Sequence, residues 1–224
     1  MYNYKATRKV DLKMAFRQSG GMIMSVSSFR SIQMQDKTAD PLEALFLEVI
    51  THIGEDPRRE GLLETPRRIA KMYREIFSGI HEDPMAVLQK TFPSEGTKDI
   101  IIVQDIPFYS VCEHHFVPFY GKAHIGYIPQ DRIVGLSKFA RLVETFARRP
   151  QVQEKLTNQL ANTIFEAINP RGVIVVVEAE HMCMSMRGIK KPGSLTRTLC
   201  RLGEFEHEIE TEKRFFKLLK DSLT

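Results

Sequence analysis

The sequence predicts an α+β protein: N-terminal helices precede a β-β-α-α-β-β unit, an antiparallel sheet with its helices on one face. Three observations carry that prediction. Apolar residues recur at helical spacing between positions 40 and 77, give way to β-branched and aromatic runs from Asp99, and resume helical spacing between 137 and 168. Capping and stop residues mark the changes of period. After Gly172 two more strand-like runs follow, and at 224 residues the chain can bury one large core, or a core with an appendage.

Residues 1–39 hold Ser, Gly, Met and scattered basic groups without periodicity, and read as a mobile basic leader. Their acid-poor character points to a transit peptide; Met14, Met22 and Met24 offer an extended start as the alternative. Structure should begin at Asp40-Pro41-Leu42-Glu43, with Asp40 as cap, Pro41 at the first helical position and Glu43 completing a capping-box-like pattern. That helix is expected to run to Ile53 and stop at Gly54. A second begins at Glu64-Thr65-Pro66 with Thr65 as cap, and Ile69, Met72, Tyr73, Ile76 and Phe77 form its core stripe. Arg68 and Lys71 share a different face, which periodicity alone reads as solvated.

The helical segment spans 40–92 and the sheet-bearing domain 93–224. Ile100 to Val103 and Ile106 to Tyr109 lead into Cys112, and 116–128 is a second strand run containing Gly121 and Gly126, so a hairpin should place Cys112 near its turn. Ser137 is expected to cap a helix over 137–148, and Pro150 to open another over 150–168, stopped by Asn169-Pro170-Arg171-Gly172. A strand from Gly172 to Glu180 then delivers His181 and Cys183, which point the same way if the strand persists that far. A Gly/Pro/basic loop over 187–193 turns into a final strand, 194–205, and 206–220 reads as a terminal helix. Four antiparallel strands leave open edges, which subunits close by pairing edge to edge, so a ring-shaped oligomer is expected.

Charge narrows the function. Residues 1–40 carry seven Lys/Arg against three Asp, and the remaining 184 residues carry 25 of each sign. A neutral body lacks the broad basic face of nucleic-acid binding, so any anion site is local. No span approaches the roughly 18 apolar residues of a membrane helix. Three cysteines give no disulfide framework, and there is no secretory apolar region, which together suggest a cytoplasmic protein.

The chemistry concentrates in Cys112-Glu113-His114-His115 and His181-Met182-Cys183. Taken singly, a Cys is commonly a small buried hydrophobe and a His a satisfied polar group. Together they suggest a metal site: Cys112 and His115 can reach one ion from a tight turn, Cys183 can add a third ligand, and thiolate with imidazole suits zinc. Three protein ligands leave one tetrahedral position for water, with His114 and His181 unligated beside the metal. Closure of the shell by Cys200 would make the zinc structural instead.

These stretches, with Glu64-Thr65-Pro66, Arg68 to Tyr73, Gly135-Leu136-Ser137-Lys138, Arg149-Pro150-Gln151-Val152-Gln153-Glu154 and Arg187-Gly188, closely resemble GTP cyclohydrolase I from about Asp40 to Phe205. The resemblance implies a tunnelling fold assembled as a decamer of two pentameric rings with active sites between subunits. It implies conversion of GTP and water to formate and 7,8-dihydroneopterin triphosphate, the first step toward pterins. Carried onto this chain, it places zinc on Cys112, His115 and Cys183 and leaves Cys200 out. Glu154 would recognise the guanine edge, with Gln153 adjacent; Arg68, Lys71, Lys138, Arg141 and Arg187, with Ser137, would surround the triphosphate and ribose. His181 would serve purine N7 and His114 the ribose ring oxygen, an imidazole being able to give and take protons near neutrality. The competing readings are a non-catalytic zinc-stapled oligomer and a related tunnelling-fold enzyme using a nucleophilic cysteine on a pterin or deazapurine.

Overall fold

Helix α1, Pro41–His52, starts where the Asp40 carboxylate accepts the Leu42 N–H at 3.0 Å. The computed structural model describes residues 40–221, so the leader reading of 1–39 lies outside the described residues. The same carboxylate pairs with Arg74 of α2, Thr65–Ile76, at 2.6 Å and so ties the two helices together. Phe46 and Tyr73 pack across them with ring centroids 4.9 Å apart.

Helix α2 departs from expectation in two ways. Thr65 does not cap it: a 3₁₀ turn at Glu60–Leu62 feeds a backbone already helical at Glu64, so Thr65 lies inside the helix and its hydroxyl turns back to the Gly61 carbonyl. Its apolar stripe is not a core stripe either, since Ile69, Tyr73, Ile76 and Phe77 are half-buried and Met72 is 45% exposed. Arg68 and Lys71 are exposed.

A short helix, α3 (Pro84–Leu88), leads to β1 (Thr91–Pro93), which pairs with β4 (Arg132–Val134) in a small sheet that was not anticipated. The main sheet contains β2 (Ile101–Cys112), β3 (Pro118–Ile128), β5 (Pro150–Gln151), β6 (Gly172–His181) and β7 (Leu195–Gly203), in the order β5-β2-β3-β6-β7. All neighbours are antiparallel except β5, which runs parallel to β2 at Val111 and Cys112. The expected hairpin is therefore present, with Cys112 at the end of its first strand.

Two expected helix starts are overturned in the middle of the chain. Helix α4, Ser137–Ala147, already contains Ser137, because Leu136 is helical and no side-chain cap is made. Pro150 does not open a helix: β5 holds it extended, and α5 runs Gln153–Ile168, ending at left-handed Asn169. Strand β6 stops at His181, where a helical turn, α6 (Met182–Ser185), takes over, so the strand alternation invoked for Cys183 does not reach it. The last strand ends two residues early, at Gly203 with φ +64°, before the short α7 (Glu204–His207) and α8 (Ile209–Asp221).

Helices α4 and α5 cover one face of the sheet. Phe139, Leu142, Phe146, Leu156, Leu160 and Ile164 join Phe108, Phe119, Ile125, Tyr127 and the odd-numbered valines of β6 in the main core. The opposite face is covered in part too: Ile128, Ile174 and Val176 form a second cluster with Phe205 and Phe215 from the C-terminal helices. Gly126 makes that possible, since a Cβ there would sit 2.7 Å from the Phe215 ring. No helix among the described residues is long and apolar enough to cross a membrane.

Phe215 is fully buried, whereas Ile209 on the same helix is 69% exposed. Phe215→Ala should therefore destabilise the fold by about 3–5 kcal/mol, and Ile209→Ala should change it little. Urea unfolding followed by circular dichroism checks both; equal midpoints for the two variants would contradict the second core.

Candidate metal centre

Cys112 closes β2, and its own backbone shapes the turn that follows. Its N–H donates to the Val117 carbonyl at 2.9 Å, while its carbonyl accepts from Phe116 at 2.9 Å and from His115 at 3.4 Å. Residues 113–116 thus wrap around one carbonyl, with Phe116 at φ +52°. This wrap holds the Nδ1 atoms of His114 and His115 at 3.9 and 4.0 Å from the Cys112 sulfur. The Glu113 N–H donates to the Gln151 carbonyl at 3.0 Å, which fastens the turn to β5.

The helical turn α6 brings in Cys183. One ligand atom from each of Cys112, His115 and Cys183 lies within 4.8 Å of the others, and Cys112 is buried while His115 faces solvent. Tetrahedral zinc, with bonds of about 2.3 Å to sulfur and about 2.0 Å to nitrogen, sets ligand separations of roughly 3.5–3.8 Å. A small contraction of the observed cluster meets that geometry, so the donor set fits zinc. Burial and the adjoining Cys112 sulfur push the Cys183 thiol up, partly opposed by Arg187. A cation between the two sulfurs would relieve that crowding as they ionise. Cys200 sits on β7 opposite Val175, packed against the main core and outside the converging group.

His181 stands beside this cluster, and its ring state is determined by buried neighbours. The ring stacks on Phe119 with centroids 4.7 Å apart and planes within 3°, and its Nε2 lies 2.8 Å from the Gln153 side-chain oxygen. Gln153 is buried, and its amide nitrogen reaches the carbonyls of Val177 and Thr196 and the Thr198 hydroxyl at 2.9–3.1 Å. Three acceptors around the nitrogen leave its oxygen to accept, so His181 donates from Nε2 and its free lone pair is on Nδ1. Thr157 completes the network, donating to the Gln153 backbone carbonyl at 2.8 Å and meeting Thr198 at 2.6 Å. Burial pulls the His181 pKa down, opposed by the Glu154 charge.

The chain brings the three candidate ligands, His114, His181 and Gln153 into one region, and the Glu154 charge reaches His181. The Arg187 charge reaches Cys183, whereas no described contact brings Arg68, Lys71, Ser137, Lys138 or Arg141 to the cluster. Arg68 and Lys71 face solvent on α2, Ser137 and Arg141 are exposed and Lys138 partly so on α4, and Arg187 is exposed just after α6. Sequence reasoning missed Phe119, Thr157, Thr196 and Thr198. No local signal marks them, because Thr196 and Thr198 meet Gln153 from more than forty positions away.

Comparison with known proteins is consistent with this geometry. Residues 42–220 match the family described as GTP cyclohydrolase I. A protein named GTP cyclohydrolase 1 from Streptococcus thermophilus (strain CNRZ 1066) is 54% identical over 183 residues, covering 81% of this chain and 97% of the relative. Its namesake from Bacillus mycoides (strain KBAB4) is also 54% identical, over 173 residues, 77% of this chain and 91% of that one. Among solved structures, the archaeosine synthase QueF-Like in the apo form aligns over 47% of this chain and 94% of its own, with 19% identity and a TM-score of 0.40.

The Gln153 network makes a spectroscopic prediction. In histidine-labelled protein at neutral pH, the ¹⁵N shifts of His181 should show a protonated Nε2 and an unprotonated Nδ1. Gln153→Leu should shift that balance toward mixed tautomers; an unchanged His181 pattern would mean that the amide does not set the proton.

Proposed function

The chain belongs to the GTP cyclohydrolase I family, and from that premise we propose that it is a zinc enzyme converting GTP and water to formate and 7,8-dihydroneopterin triphosphate. The observation that carries the proposal is the convergence of Cys112, His115 and Cys183 beside two further histidines. Zinc held by those three residues would supply Lewis-acid polarisation and a water acidified toward a pKa of about 7.

The protein's own groups then have separable tasks. His181, tied through Nε2 to Gln153, has the Nδ1 lone pair free to take the proton released as water adds at C8 and pass it to purine N7. His114 serves the ribose ring oxygen, helping the sugar open before the rearrangement that closes the pterin ring. Glu154 offers a carboxylate to the guanine N1–H and exocyclic amine, a donor pair that adenine lacks. Arg68, Lys71, Lys138, Arg141 and Arg187, with Ser137, hold the triphosphate and ribose, Arg through paired N–H groups and Lys as a point charge.

Several of those cations are exposed on α2 and α4, elements that do not carry the metal ligands, which supports a site completed by a second copy of the chain. Exposed apolar residues support association as well: Leu45, Val49 and Ile53 on and beside α1, and Leu195 and Leu199 on the edge strand β7. We take the assembly to be a decamer of two pentameric rings, in a reducing, cytoplasmic setting that keeps the three free cysteines as thiols. A non-catalytic zinc staple is disfavoured by the position of Cys200, which lies outside the converging group.

Incubation of the purified protein with GTP should release formate together with a product that oxidises to fluorescent neopterin. Atomic absorption should find about one zinc per chain, lost in Cys112→Ser, His115→Ala and Cys183→Ser and kept, with activity, in Cys200→Ala. Absence of both products from zinc-loaded protein would refute the proposed reaction.

Alanine at His114 or His181 should leave zinc and assembly intact yet reduce turnover by roughly 10²–10⁴, the scale of general acid–base catalysis. Rapid-quench chromatography with GTP labelled at C8 should show little purine-ring opening in His181→Ala. It should show a ring-opened formamido species or slow formate release in His114→Ala. Arrest of both variants at the same species would disprove the division of roles.

A further inference from the structure

The segment after Cys183 carries Arg187, Lys190 and Lys191 through an exposed loop. Its backbone turns sharply, with φ of +61° at Gly188, +51° at Lys190 and +77° at Gly193. Internal hydrogen bonds are sparse: Lys191 N–H to Met184 O at 2.9 Å, Lys190 N–H to Arg187 O at 3.3 Å and Ser194 N–H to Lys191 O at 3.4 Å. A loop of this kind samples many shapes unless its ends are fixed, and fixing it during ligand binding weakens affinity.

One carboxylate fixes both ends. Oε1 of Glu180 accepts the Ser185 hydroxyl at 2.6 Å, where the loop departs, and the Gly193 N–H at 3.0 Å, where it returns. Oε2 accepts the Tyr120 hydroxyl at 3.2 Å from β3, and Tyr120 is the register partner of Glu180 across the sheet. Among the described ion pairs Glu180 has no cationic partner, so its charge is directed to three neutral donors and not to the cations it encloses. Those three bonds hold the carboxylate below its ordinary range, so it stays ionised at neutral pH.

The geometry points to Glu180 as a positioning residue for phosphate recognition. By joining Ser185 and Gly193 through one oxygen, it holds the loop in a single shape and presents Arg187 to the triphosphate already ordered. The inference rests on the assignment of Arg187 to the triphosphate. Glu180 lies outside the candidate ligand group and its carboxylate is occupied by Tyr120, Ser185 and Gly193, so it acts through Arg187.

The test is a kinetic double-mutant cycle on the zinc-loaded full-length enzyme with GTP. Glu180→Ala should raise KM about tenfold with kcat within about twofold, the pattern of lost uniform binding. Glu180→Gln should recover KM to within about twofold, because its amide oxygen accepts from the same two donors and its amide nitrogen can donate to Tyr120. Glu180→Ala in combination with Arg187→Ala should be no worse than Arg187→Ala alone. Additive penalties, an unchanged KM in Glu180→Ala, or failure of the Gln variant to recover would each overturn the inference while leaving the proposed reaction in place. If Arg187→Ala left KM unchanged, the triphosphate assignment would fail and this inference with it. Should Glu180→Ala lose zinc or fail to fold, Ser185→Ala replaces it in the cycle. It removes one of the two loop donors, and a KM no higher than wild type there would also overturn the inference.

Discussion

The candidate site depends on the register of β2, β3 and β6. Val111 pairs with Pro118, and Phe119 pairs with His181, so one end of the sheet gathers Cys112, the turn after it, the Phe119 ring and His181. Side chains alternate along a strand, so a slip of one residue would send Phe119 and His181 to the face that carries Tyr120 and Glu180. The register is held by the main core, where Ala123, Ile125 and Tyr127 of β3 meet Val173, Val175 and Val177 of β6 beneath α4 and α5. The candidate metal cluster therefore borrows its geometry from apolar packing farther along the same strands.

A buried polar network carries that geometry into proton positions. Gln153 is buried at the first turn of α5, where an unpaired amide would be unfavourable by a few kcal/mol. Its bonds to Val177, Thr196, Thr198 and His181 meet that requirement and link α5, β6 and β7. The same bonds leave His181 one tautomer. Structural satisfaction and chemical preparation are here the same set of contacts, and Glu180 shows a parallel economy on the opposite face, where one carboxylate serves three donors.

The N-terminal helices reach the site through aromatic rings. Phe46 packs on Tyr73, Tyr73 on Phe77 and Phe77 on Phe116, with centroids 4.9–5.5 Å apart, so the end of α2, with α1 packed behind it, rests against the turn that carries His114 and His115. This explains why the stripe on α2 is only half-buried in one chain. Its residues bridge between elements and line an apolar groove with α1, instead of entering the core beneath the sheet.

What the sequence determined by itself was local in origin. The change of hydrophobic period located the long strands and most helices, and left-handed Asn169 ended α5 where Asn-Pro stands in the chain. Cys112, His115 and Cys183 were legible as a candidate ligand group because thiolate and imidazole are donors that suit zinc whatever the surrounding fold. The caps assigned to Thr65 and Ser137 and the helix start assigned to Pro150 failed because a helix start depends on the backbone entering it, and here a 3₁₀ turn, a helical Leu136 and pairing with β2 set that entry. The strand ending at His181, the second core over Gly126 and the Gln153–Thr198 contact were decided by tertiary structure alone. Each rests on groups distant in the chain that meet only when the sheet closes, and no local period or spacing encodes such a meeting.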